Sequence, residues 1–420
     1  MELKVYIERD GDEIEVGTIS STVGTDASFR YSQSYLNSGC RAISLNLPLQ
    51  QEGFTAEKTK IFFDGLLPEG FTRRAVAGQS RVFEDDYISI LSILGKECMG
   101  AIRISDESET QHIENSYRKI SNEELRALAI EGASKSAEIV TKTHLSLAGA
   151  SGKVGLYYDG NDWFLPVGRA PSTHIVKQSH VRLRDIVINE QLCLITAKNL
   201  GLDVVDSFVV KCSGTDESNV LFATNRYDRK FVGENRMVDG MMVPKRLHQE
   251  DFAQGLGILS SEKYEAPGGD YMSDMFKLIK RVSGNPLADQ LKLWDAIVFN
   301  YLIGNTDGHV KNFSLLYDEN LTAIRLAPLY DIVSTVVYPE STRHMAFSIG
   351  GETLIDKISR ENFRDVAKRI GASEKILLEH FDELSESFER ALNIATEQLE
   401  SEGLTNAPTM RDLILKGRNL

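Results

Sequence analysis

Apolar side chains recur at helical spacing between residues 291 and 302. Apolar positions three or four residues apart fall on one face of a helix. Gly304 stands where this helix would end, because glycine readily adopts the left-handed conformation of a helix C-terminus. The same spacing returns at residues 361–370 and 379–402. The chain from residue 245 onward is therefore predicted to be mostly helical.

Two short apolar runs interrupt this helical region, at residues 313–317 and 324–328. A short polar turn joins them, which is the pattern of two paired strands. Folding back at that turn would bring Asp331, which follows the second run, beside Asn312, which precedes the first. The polar segment before the first run, residues 305–312, is expected to be a loop.

Short strands and one helix are predicted upstream of the helical region. A loop of small residues at 145–152 runs into a strand, and residues 173–177 alternate polar and apolar side chains. Residues 208–211 and 220–229 indicate paired strands followed by a linker. Residues 187–201 have helical spacing and end at a glycine. This part of the chain is therefore predicted to be mostly β.

Glu190 shares the apolar face of the predicted helix with Val187, Leu194 and Ala197. A carboxylate on an apolar face requires a partner, because burying an unpaired charge is costly. Lys177 on the preceding strand is the candidate, and a lysine there would also reach the α- and β-phosphates of a nucleotide. The alternative is that Glu190 lies at the boundary of the face and reaches solvent.

The segment from Asn305 to Asn312 carries the most informative chemistry. Four residues separate Asp307 from Asn312, and Asp331 follows beyond the predicted hairpin. Protein kinases use this arrangement for a proton acceptor and two Mg²⁺ ligands, since phosphoryl transfer mainly needs an orienting carboxylate and hard oxygen atoms on the metal. The alternative is that Asn-Thr-Asp-Gly is ordinary turn chemistry and Asp331 a loop acid.

The small-residue loop would bind phosphate through its backbone N–H groups, because small side chains let phosphate oxygens approach closely. It does not fit the Walker A pattern, since Leu147 stands where that pattern needs glycine and Val154 follows Lys153. It also lacks the G-x-G-x-x-G spacing. A plain hairpin remains the alternative.

Length and charge limit the possible functions. The 420 residues predict more than one domain, and composition places the divisions at residues 1–104, 112–244 and 245–420, with a polar linker at 105–111. The formal charge of −14 argues against nonspecific DNA binding by this chain alone, because such binding depends on neutralising phosphates. No apolar run approaches the length of a membrane helix, so a cytoplasmic location is expected.

Together these motifs resemble the HipA family of serine/threonine kinases, the toxins of bacterial HipBA toxin–antitoxin modules. The resemblance covers nearly the full chain. It is carried by residues 62–70, 94–102, 146–153 (most of the small-residue loop and Lys153), 305–314 (hereafter the catalytic segment) and 329–334. It implies an α+β fold, with a two-lobed protein-kinase-like core, an N-terminal α/β subdomain and a mostly helical C-terminal lobe.

The resemblance also implies roles in a reaction that uses ATP and Mg²⁺. Asp307 would be the proton acceptor, and Asn312 and Asp331 the metal ligands. Lys177 would contact the phosphates, and Ser146 would be an autophosphorylation site. The other implied ATP-binding positions are Ala148, Gly149, Ala150, Ser151, Gly152, Lys153, Asn225, Arg226, Tyr227, His309, Val310, Lys311 and Asn312.

Two positions depart from the family pattern. Ser151 stands where the family commonly has glutamine, which places a second possible phosphoacceptor beside Ser146. Asn225 stands near the hinge where the family has a glutamate. Neither change touches the aspartates and asparagine that would carry the reaction, so an active enzyme is expected.

The implied partners are a HipB-like helix-turn-helix antitoxin, operator DNA contacted mainly through that antitoxin, and a protein substrate. An aminoacyl-tRNA synthetase is implied as the substrate, with glutamyl-tRNA synthetase the best guess, and no membrane association is expected. Two other functions remain open. One is a small-molecule kinase, because sugar and antibiotic kinases use the same Asp/Asn spacing. The other is a non-catalytic partner in a repressor complex on an operator.

Overall fold

The computed structural model describes residues 1–23, 26–106, 114–149, 152–179, 183–212, 219–232 and 236–418. Helices and strands are both abundant within these residues, which confirms the α+β prediction. Of the linker predicted at 105–111, Ser105 ends a strand, and residues 107–111 lie outside the described residues.

An antiparallel sheet begins the chain and forms the N-terminal subdomain with the helices that follow it. Its strands are β1 (Glu2–Arg9), β2 (Asp12–Val23), β3 (Asp26–Tyr31) and β4 (Ile102–Ser105), in the spatial order β3-β2-β1-β4. The helices between β3 and β4 are α1 (Gln33–Leu36), α2 (Ala56–Gly65), α3 (Gly70–Ser80) and α4 (Tyr87–Leu94). Alternate residues of β1, Leu3, Val5 and Ile7, are fully buried, as expected for a strand with one face on a core.

A second antiparallel sheet forms the β-rich lobe. Its strands are β5 (Ser116–Lys119), β6 (Lys153–Tyr158), β7 (Trp163–Val167), β8 (His174–Gln178), β9 (Ser207–Val210) and β10 (Leu221–Asn225), in the order β5-β7-β6-β8-β10-β9. The helices of this lobe are α5 (Asn122–Glu131), α6 (Ala133–Thr143) and α7 (Ile186–Asn199). Since β8 pairs with β6 on one edge and β10 on the other, Lys177 lies on a strand that is fixed from both sides.

Helices dominate the C-terminal lobe, as predicted. They are α8 (Phe252–Leu256), α9 (Tyr271–Val282), α10 (Pro286–Ile303), α11 (Arg360–Ile370), α12 (Glu374–Ser401) and α13 (Ala407–Gly417). Between β10 and this lobe lie three short strands, β11 (Arg229–Lys230), β12 (Arg236–Val238) and β13 (Met241–Val243). The short strands of the lobe itself are β14 (Lys245–Arg246), β15 (Gln249–Asp251), β16 (Ser314–Tyr317), β17 (Ile324–Leu326), β18 (His344–Ile349) and β19 (Glu352–Leu354). The predicted hairpin is β16 and β17, which pair antiparallel.

In this lobe, neighbouring residues in the sequence determine where α10 ends and where α12 begins. α10 ends at Gly304, whose φ of 70° is the left-handed conformation predicted for it. α12 begins at Glu374 rather than at residue 379, because Ser373 caps it by accepting a hydrogen bond from the Ile376 N–H. The start of α12 was therefore set by a cap that its apolar spacing did not reveal.

α7 is the helix on which the two lobes meet. It contacts β9 and β10 of the β-rich lobe as well as α12 and α13 of the helical lobe. Every residue from Val187 to Ala197 is buried. Glu190 is only 4% exposed, so the alternative that it reaches solvent is excluded.

Four buried charged residues join the N-terminal subdomain to the segment after β10. They form the buried charge network: Glu97, Arg226, Asp228 and Arg229. Glu97 Oε1 lies 3.3 Å from Arg226 Nη1 and 2.9 Å from Arg229 Nη2, and Asp228 Oδ2 lies 2.7 Å from Arg226 Nη2. Two acids offset two bases, which is how buried charges are tolerated. The N-terminal subdomain is therefore an integral part of the fold beside the cleft.

Candidate active site

A cleft of about 540 Å³ lies between the β-rich lobe and the helical lobe. It is lined by the residues predicted to carry the reaction, which are Lys177, Glu190, Asp307, Asn312 and Asp331. Of the other predicted positions, those that line it are Ala148, Gly149, Gly152, Lys153, Asn225, Arg226, Tyr227, His309 and Lys311. Ser146 and Val310 are not among the lining residues. Ala150 and Ser151 lie outside the described residues.

Lys177 lies between two acids. Its ammonium nitrogen is 2.7 Å from Glu190 Oε1 and 2.7 Å from Asp331 Oδ1. Burial lowers the pKa of this amine, but the two carboxylates outweigh burial and raise the pKa above its ordinary value. Burial also raises the pKa of Glu190, against the opposing charge of Lys177. Lys177 is therefore positively charged near pH 7, and the two acids hold its ammonium group at the cleft.

Asp331 has a φ of 56°, which is uncommon for a residue other than glycine. The segment before it is fixed where the Leu329 N–H donates to Asp203 O at 2.8 Å. Burial raises the pKa of Asp331, but Lys177 and Lys153 outweigh burial and hold the pKa well below its usual range. Asp331 is therefore an anion in a rare backbone conformation, and such conformations cluster at functional sites.

Side chains fix the backbone of the catalytic segment around Asp307. Asn305 Oδ1 accepts a hydrogen bond from the Asp307 N–H at 3.1 Å, and Asn312 Nδ2 donates to Asp307 O at 3.1 Å. The second bond uses the nitrogen of the Asn312 amide, so the amide oxygen is the atom that can bind a metal. The Asp307 side chain opens into the cleft, where the surrounding protein desolvates it and raises its pKa.

Three further residues of the cleft were not identified from the sequence. The Tyr264 hydroxyl donates a hydrogen bond to Asp307 Oδ1. The neighbouring Lys263 pairs with Glu69 of the N-terminal subdomain at 2.7 Å. Residues 257–270 show neither apolar periodicity nor a motif, and Glu69 is distant in the chain, so no local signal could have joined them.

The small-residue loop packs against the N-terminal subdomain. Ser146 is fully buried, its hydroxyl donates to Leu66 O at 2.6 Å, and its N–H donates to Glu97 O at 2.7 Å. The Gly149 carbonyl accepts a hydrogen bond from the Glu69 N–H at 2.9 Å. In this structure the Ser146 hydroxyl is therefore inaccessible, and the loop must move before it can be modified.

Close contacts favour glycine at two positions of this loop. A Cβ at Gly152 would lie 2.1 Å from Gln178 Nε2. Gly149 has a φ of 105°, and a Cβ there would lie 2.7 Å from Lys153 Nζ. Larger residues at these positions would displace the lysine or the β8 side chain beside it, so both glycines shape this side of the cleft.

The residues implied to form the hinge, Asn225 at the end of β10 with Arg226 and Tyr227 after it, all line the cleft. The Asn225 N–H donates to Asp206 O at 2.9 Å. The Arg226 guanidinium belongs to the buried charge network, and the Arg226 N–H donates to Thr173 O at 2.9 Å, so neither donor is available to a nucleotide. The Tyr227 ring stacks on Tyr330 with a centroid separation of 5.6 Å, and this pair forms one wall of the cleft.

The ATP-binding role implied for Val310 needs correction, whereas Lys311 lines the cleft. Val310 is fully buried in the core. The Lys311 ammonium is buried 3.4 Å from Glu69 Oε1 and 3.5 Å from Asp251 Oδ2, so it joins the catalytic segment to the N-terminal subdomain. His309 does line the cleft, and burial lowers its pKa to about 4, which leaves the imidazole neutral near pH 7.

Two sequence models cover most of the chain. The model described as HipA N-terminal domain matches residues 4–105, and the model described as HipA-like C-terminal domain matches residues 145–392. The chain belongs to the HipA family. The HipA-like C-terminal domain spans every residue that was predicted to line the cleft.

Two curated relatives of this HipA-family chain are named as kinases. The chain is 32% identical over 385 residues to "Putative kinase Y4mE" of Sinorhizobium fredii, which covers 90% of this chain and 88% of that protein. It is 27% identical over 354 residues to the "Serine/threonine-protein kinase toxin HipA" of Shewanella oneidensis, which covers 81% of this chain and 77% of that protein.

The fold is also that of a solved HipA structure. The chain aligns with the structure described as the Shewanella oneidensis MR-1 toxin–antitoxin system HipA, HipB and its operator DNA complex, with a TM-score of 0.80 and 23% identity. The alignment covers 99% of this chain and 96% of that one, which confirms the predicted fold. No helix among the described residues combines the length and hydrophobicity that crossing a bilayer requires.

Proposed function

We propose that this protein is an ATP- and Mg²⁺-dependent serine/threonine protein kinase that acts as a toxin. Phosphoryl transfer depends mainly on positioning and charge. The observation that carries the proposal is that one cleft is lined by Lys177, Glu190, Asp307, Asn312 and Asp331. In order, we assign them as the cation on the phosphates, its supporting acid, the proton acceptor and the two metal ligands. We also propose that the chain consists of three domains, at residues 1–104, 112–244 and 245–420.

ATP binding in this proposal uses the β-rich side of the cleft. The Tyr227 N–H has no hydrogen-bond partner within the described residues, so it can donate to an adenine ring. Lys177 and Lys153 present two ammonium groups on the phosphate side. The small-residue loop between Gly149 and Lys153 would supply backbone N–H groups to the same phosphates.

The residues proposed to hold Mg²⁺ fit that ion. Asp331 is ionised because Lys177 and Lys153 hold its pKa well below the usual range. Asn312 adds an amide oxygen, and carboxylate and carbonyl oxygens are the ligands Mg²⁺ prefers. Bound Mg²⁺ would neutralise charge on the ATP phosphates. Lys177 contacts the same Asp331 carboxylate, so the phosphate-binding cation and the metal ligand are adjacent.

Asp307 is proposed to accept the proton of the attacking hydroxyl. Its backbone is held by Asn305 and Asn312, and its carboxylate opens into the cleft. Desolvation raises its pKa, which makes it a stronger base than an ordinary carboxylate, and a base with a pKa closer to the working pH is more effective.

Autophosphorylation at Ser146 is part of the proposal. A phosphate adds about −1.5 to −2 charges near neutral pH. The buried Ser146 hydroxyl donates to the Leu66 carbonyl, and a phosphate cannot replace that donor because its oxygens would face another acceptor. The modified loop would therefore stay out of its present position, which removes the phosphate-binding backbone. Ser151 is the rival site.

The proposed partners follow from the relatives. HipB and operator DNA form the complex in which the similar HipA was solved, so we propose a HipB-like antitoxin, with operator DNA contacted mainly through it. The charge of −14 supports DNA contact through a partner. The proposed substrate is a translation factor, with an aminoacyl-tRNA synthetase, glutamyl-tRNA synthetase in particular, favoured by the family resemblance. The proposed location is the cytoplasm.

The proposed function is tested by replacing Asp307. Asp307→Asn keeps the size of the side chain and removes its basicity. Transfer of label from [γ-³²P]ATP to protein should fall by about 10²–10⁴-fold, and ATP binding in Mg²⁺, measured by calorimetry, should persist. Asp365→Asn is the matched control, since Asp365 lies exposed on α11, and it should transfer normally. Near-normal transfer by Asp307→Asn would contradict the proposed role.

A further inference from the structure

Among the described residues, the carboxylate of Asp307 has one hydrogen-bond partner, the hydroxyl of Tyr264. The backbone of Asp307 is fixed separately by Asn305 and Asn312. These backbone contacts place the Cα atom of Asp307 but leave its side-chain torsions free to rotate. The Tyr264 hydroxyl is therefore the contact that selects one carboxylate orientation.

The protein fixes Tyr264 from both neighbouring residues. On one side, Lys263 is paired with Glu69 at 2.7 Å and both are largely buried. On the other side, the Glu265 carboxylate accepts a hydrogen bond from the Ser348 N–H at 3.1 Å. The contacts link the segment to the N-terminal subdomain and to β18, so the backbone at Tyr264 is held between two separate parts of the fold.

The Tyr264 ring is also held. It packs edge-on against the ring of His309, with a centroid separation of 5.4 Å and an interplanar angle of 80°. His309 lies two residues after Asp307 in the catalytic segment and is only 7% exposed. The ring contact and the hydroxyl contact therefore both join Tyr264 to the same segment, and they give the phenol a defined direction.

We propose that Tyr264 is a positioning residue that holds Oδ1 of Asp307 so that Oδ2 faces the hydroxyl of the phosphate acceptor. This inference rests on the proposed function, because it assigns Asp307 as the proton acceptor. A carboxylate that rotates freely presents the wrong oxygen or the wrong lone pair for part of the time, and misplaced groups lose much of the rate that positioning provides.

The competing role for Tyr264 is that of a plug, with its hydroxyl occupying the place of the acceptor hydroxyl. A plug has to leave when the acceptor binds. The contacts of Lys263 and Glu265 hold the backbone on both sides of Tyr264, which favours a permanent neighbour of Asp307 over a displaceable one. The two roles predict opposite effects of removing the hydroxyl.

The test is Tyr264→Phe, which keeps the ring against His309 and removes only the hydroxyl. The full chain is mixed with Mg²⁺ and [γ-³²P]ATP, and the single-turnover rate of label incorporation into the chain is measured across ATP concentrations. The rate at saturating ATP should fall by roughly 10-fold or more, as expected for loss of a charge-assisted hydrogen bond to a reacting group. The ATP concentration at half-saturation should stay within about twofold, because the hydroxyl acts only on the transfer step.

Tyr271→Phe is the matched control. The Tyr271 hydroxyl donates to the Glu262 carbonyl at 2.9 Å, so this variant removes a phenol hydroxyl from the same region without touching Asp307. Its rate at saturation and the thermal midpoints of both variants should equal those of the wild type. An equal loss of rate in Tyr271→Phe would show that loosening of the segment, rather than orientation of Asp307, causes the effect.

The outcomes separate this inference from the proposed function. An unchanged or increased saturating rate in Tyr264→Phe overturns the positioning role, and an increase supports the plug. Full transfer by Asp307→Asn, or no transfer by the wild type, overturns the proposed function and this inference with it. Loss of transfer in Asp307→Asn together with normal transfer in Tyr264→Phe overturns the inference alone.

Discussion

Replacing Lys177 with methionine tests the charge cluster of the cleft. The substitution keeps most of the length of the side chain and removes the cation that lies 2.7 Å from both Glu190 and Asp331. Asp331 is a third exposed and keeps Lys153 nearby, so it tolerates the loss. Glu190 is buried and loses its partner, so the cost should fall mainly on Glu190.

The magnitude follows from burial. Removing one partner of a buried ion pair costs about 3–5 kcal/mol, and we expect Lys177→Met to lower the free energy of unfolding by that amount at pH 7. The control is Lys198→Met, because Lys198 pairs with Asp206 on the surface, where the side chains are 65% and 70% exposed. An exposed pair contributes about 0–1 kcal/mol, so the control should be nearly neutral.

The pH dependence gives a second check. Burial already raises the pKa of Glu190 above its unfolded value, and loss of the Lys177 charge raises it further. A carboxyl with a raised pKa in the folded state binds its proton more tightly when folded, so stability is retained at low pH and lost as the pH rises through the raised pKa. The deficit of Lys177→Met should therefore be smaller at pH 5 than at pH 8.

Urea unfolding followed by circular dichroism measures these differences. The double variant Lys177→Met with Glu190→Gln should recover part of the lost stability, because it removes the unpaired charge. The reasoning is refuted if Lys177→Met and Lys198→Met cost the same, or if Glu190→Gln brings no recovery in the Lys177→Met background.

Three further outcomes are expected. Asp331→Ala should weaken Mg²⁺-dependent ATP binding in calorimetry more than Asp307→Asn does, because it removes a proposed metal ligand; an unchanged Mg²⁺ dependence would contradict that role. Mass spectrometry after incubation with Mg²⁺ and ATP should find phosphate on Ser146, and the purified phosphoform should bind ATP poorly; normal affinity would contradict the proposal that the phosphate displaces the small-residue loop. Gly152→Ala should lower the thermal midpoint, because its Cβ would lie 2.1 Å from a side-chain nitrogen, whereas Gly78→Ala, with no atom within 4 Å, should not.

Patterns that are local in the chain predicted much of the fold. The apolar spacing and Gly304 located α10, and a polar turn located the hairpin that returns Asp331 to the catalytic segment. The Lys177–Glu190 contact was also anticipated, because one acid on an apolar helix and one lysine on the neighbouring strand left few other pairings. These inferences succeed because the residues in each of them lie close together in the sequence.

Sequence patterns did not predict contacts between segments that are far apart in the chain. Tyr264 meets Asp307 across 43 positions, and Lys311 meets Glu69 across the interface of two domains. Neither pair has a spacing that a helix or strand imposes. The burial of Ser146 was not predicted for the same reason. The Leu66 carbonyl that accepts its hydrogen bond belongs to the N-terminal subdomain, which is distant from Ser146 in the sequence.

The most direct test of the central claim is to identify the molecule that receives phosphate. The purified chain is incubated with Mg²⁺, [γ-³²P]ATP and bacterial extract. The labelled molecules are located by their radioactivity, and the phosphorylated residues are identified by mass spectrometry. The proposed function predicts phosphoserine or phosphothreonine on protein, present with the wild type and absent with Asp307→Asn. Label found only in small molecules or free phosphate, or equal labelling by both chains, would contradict it.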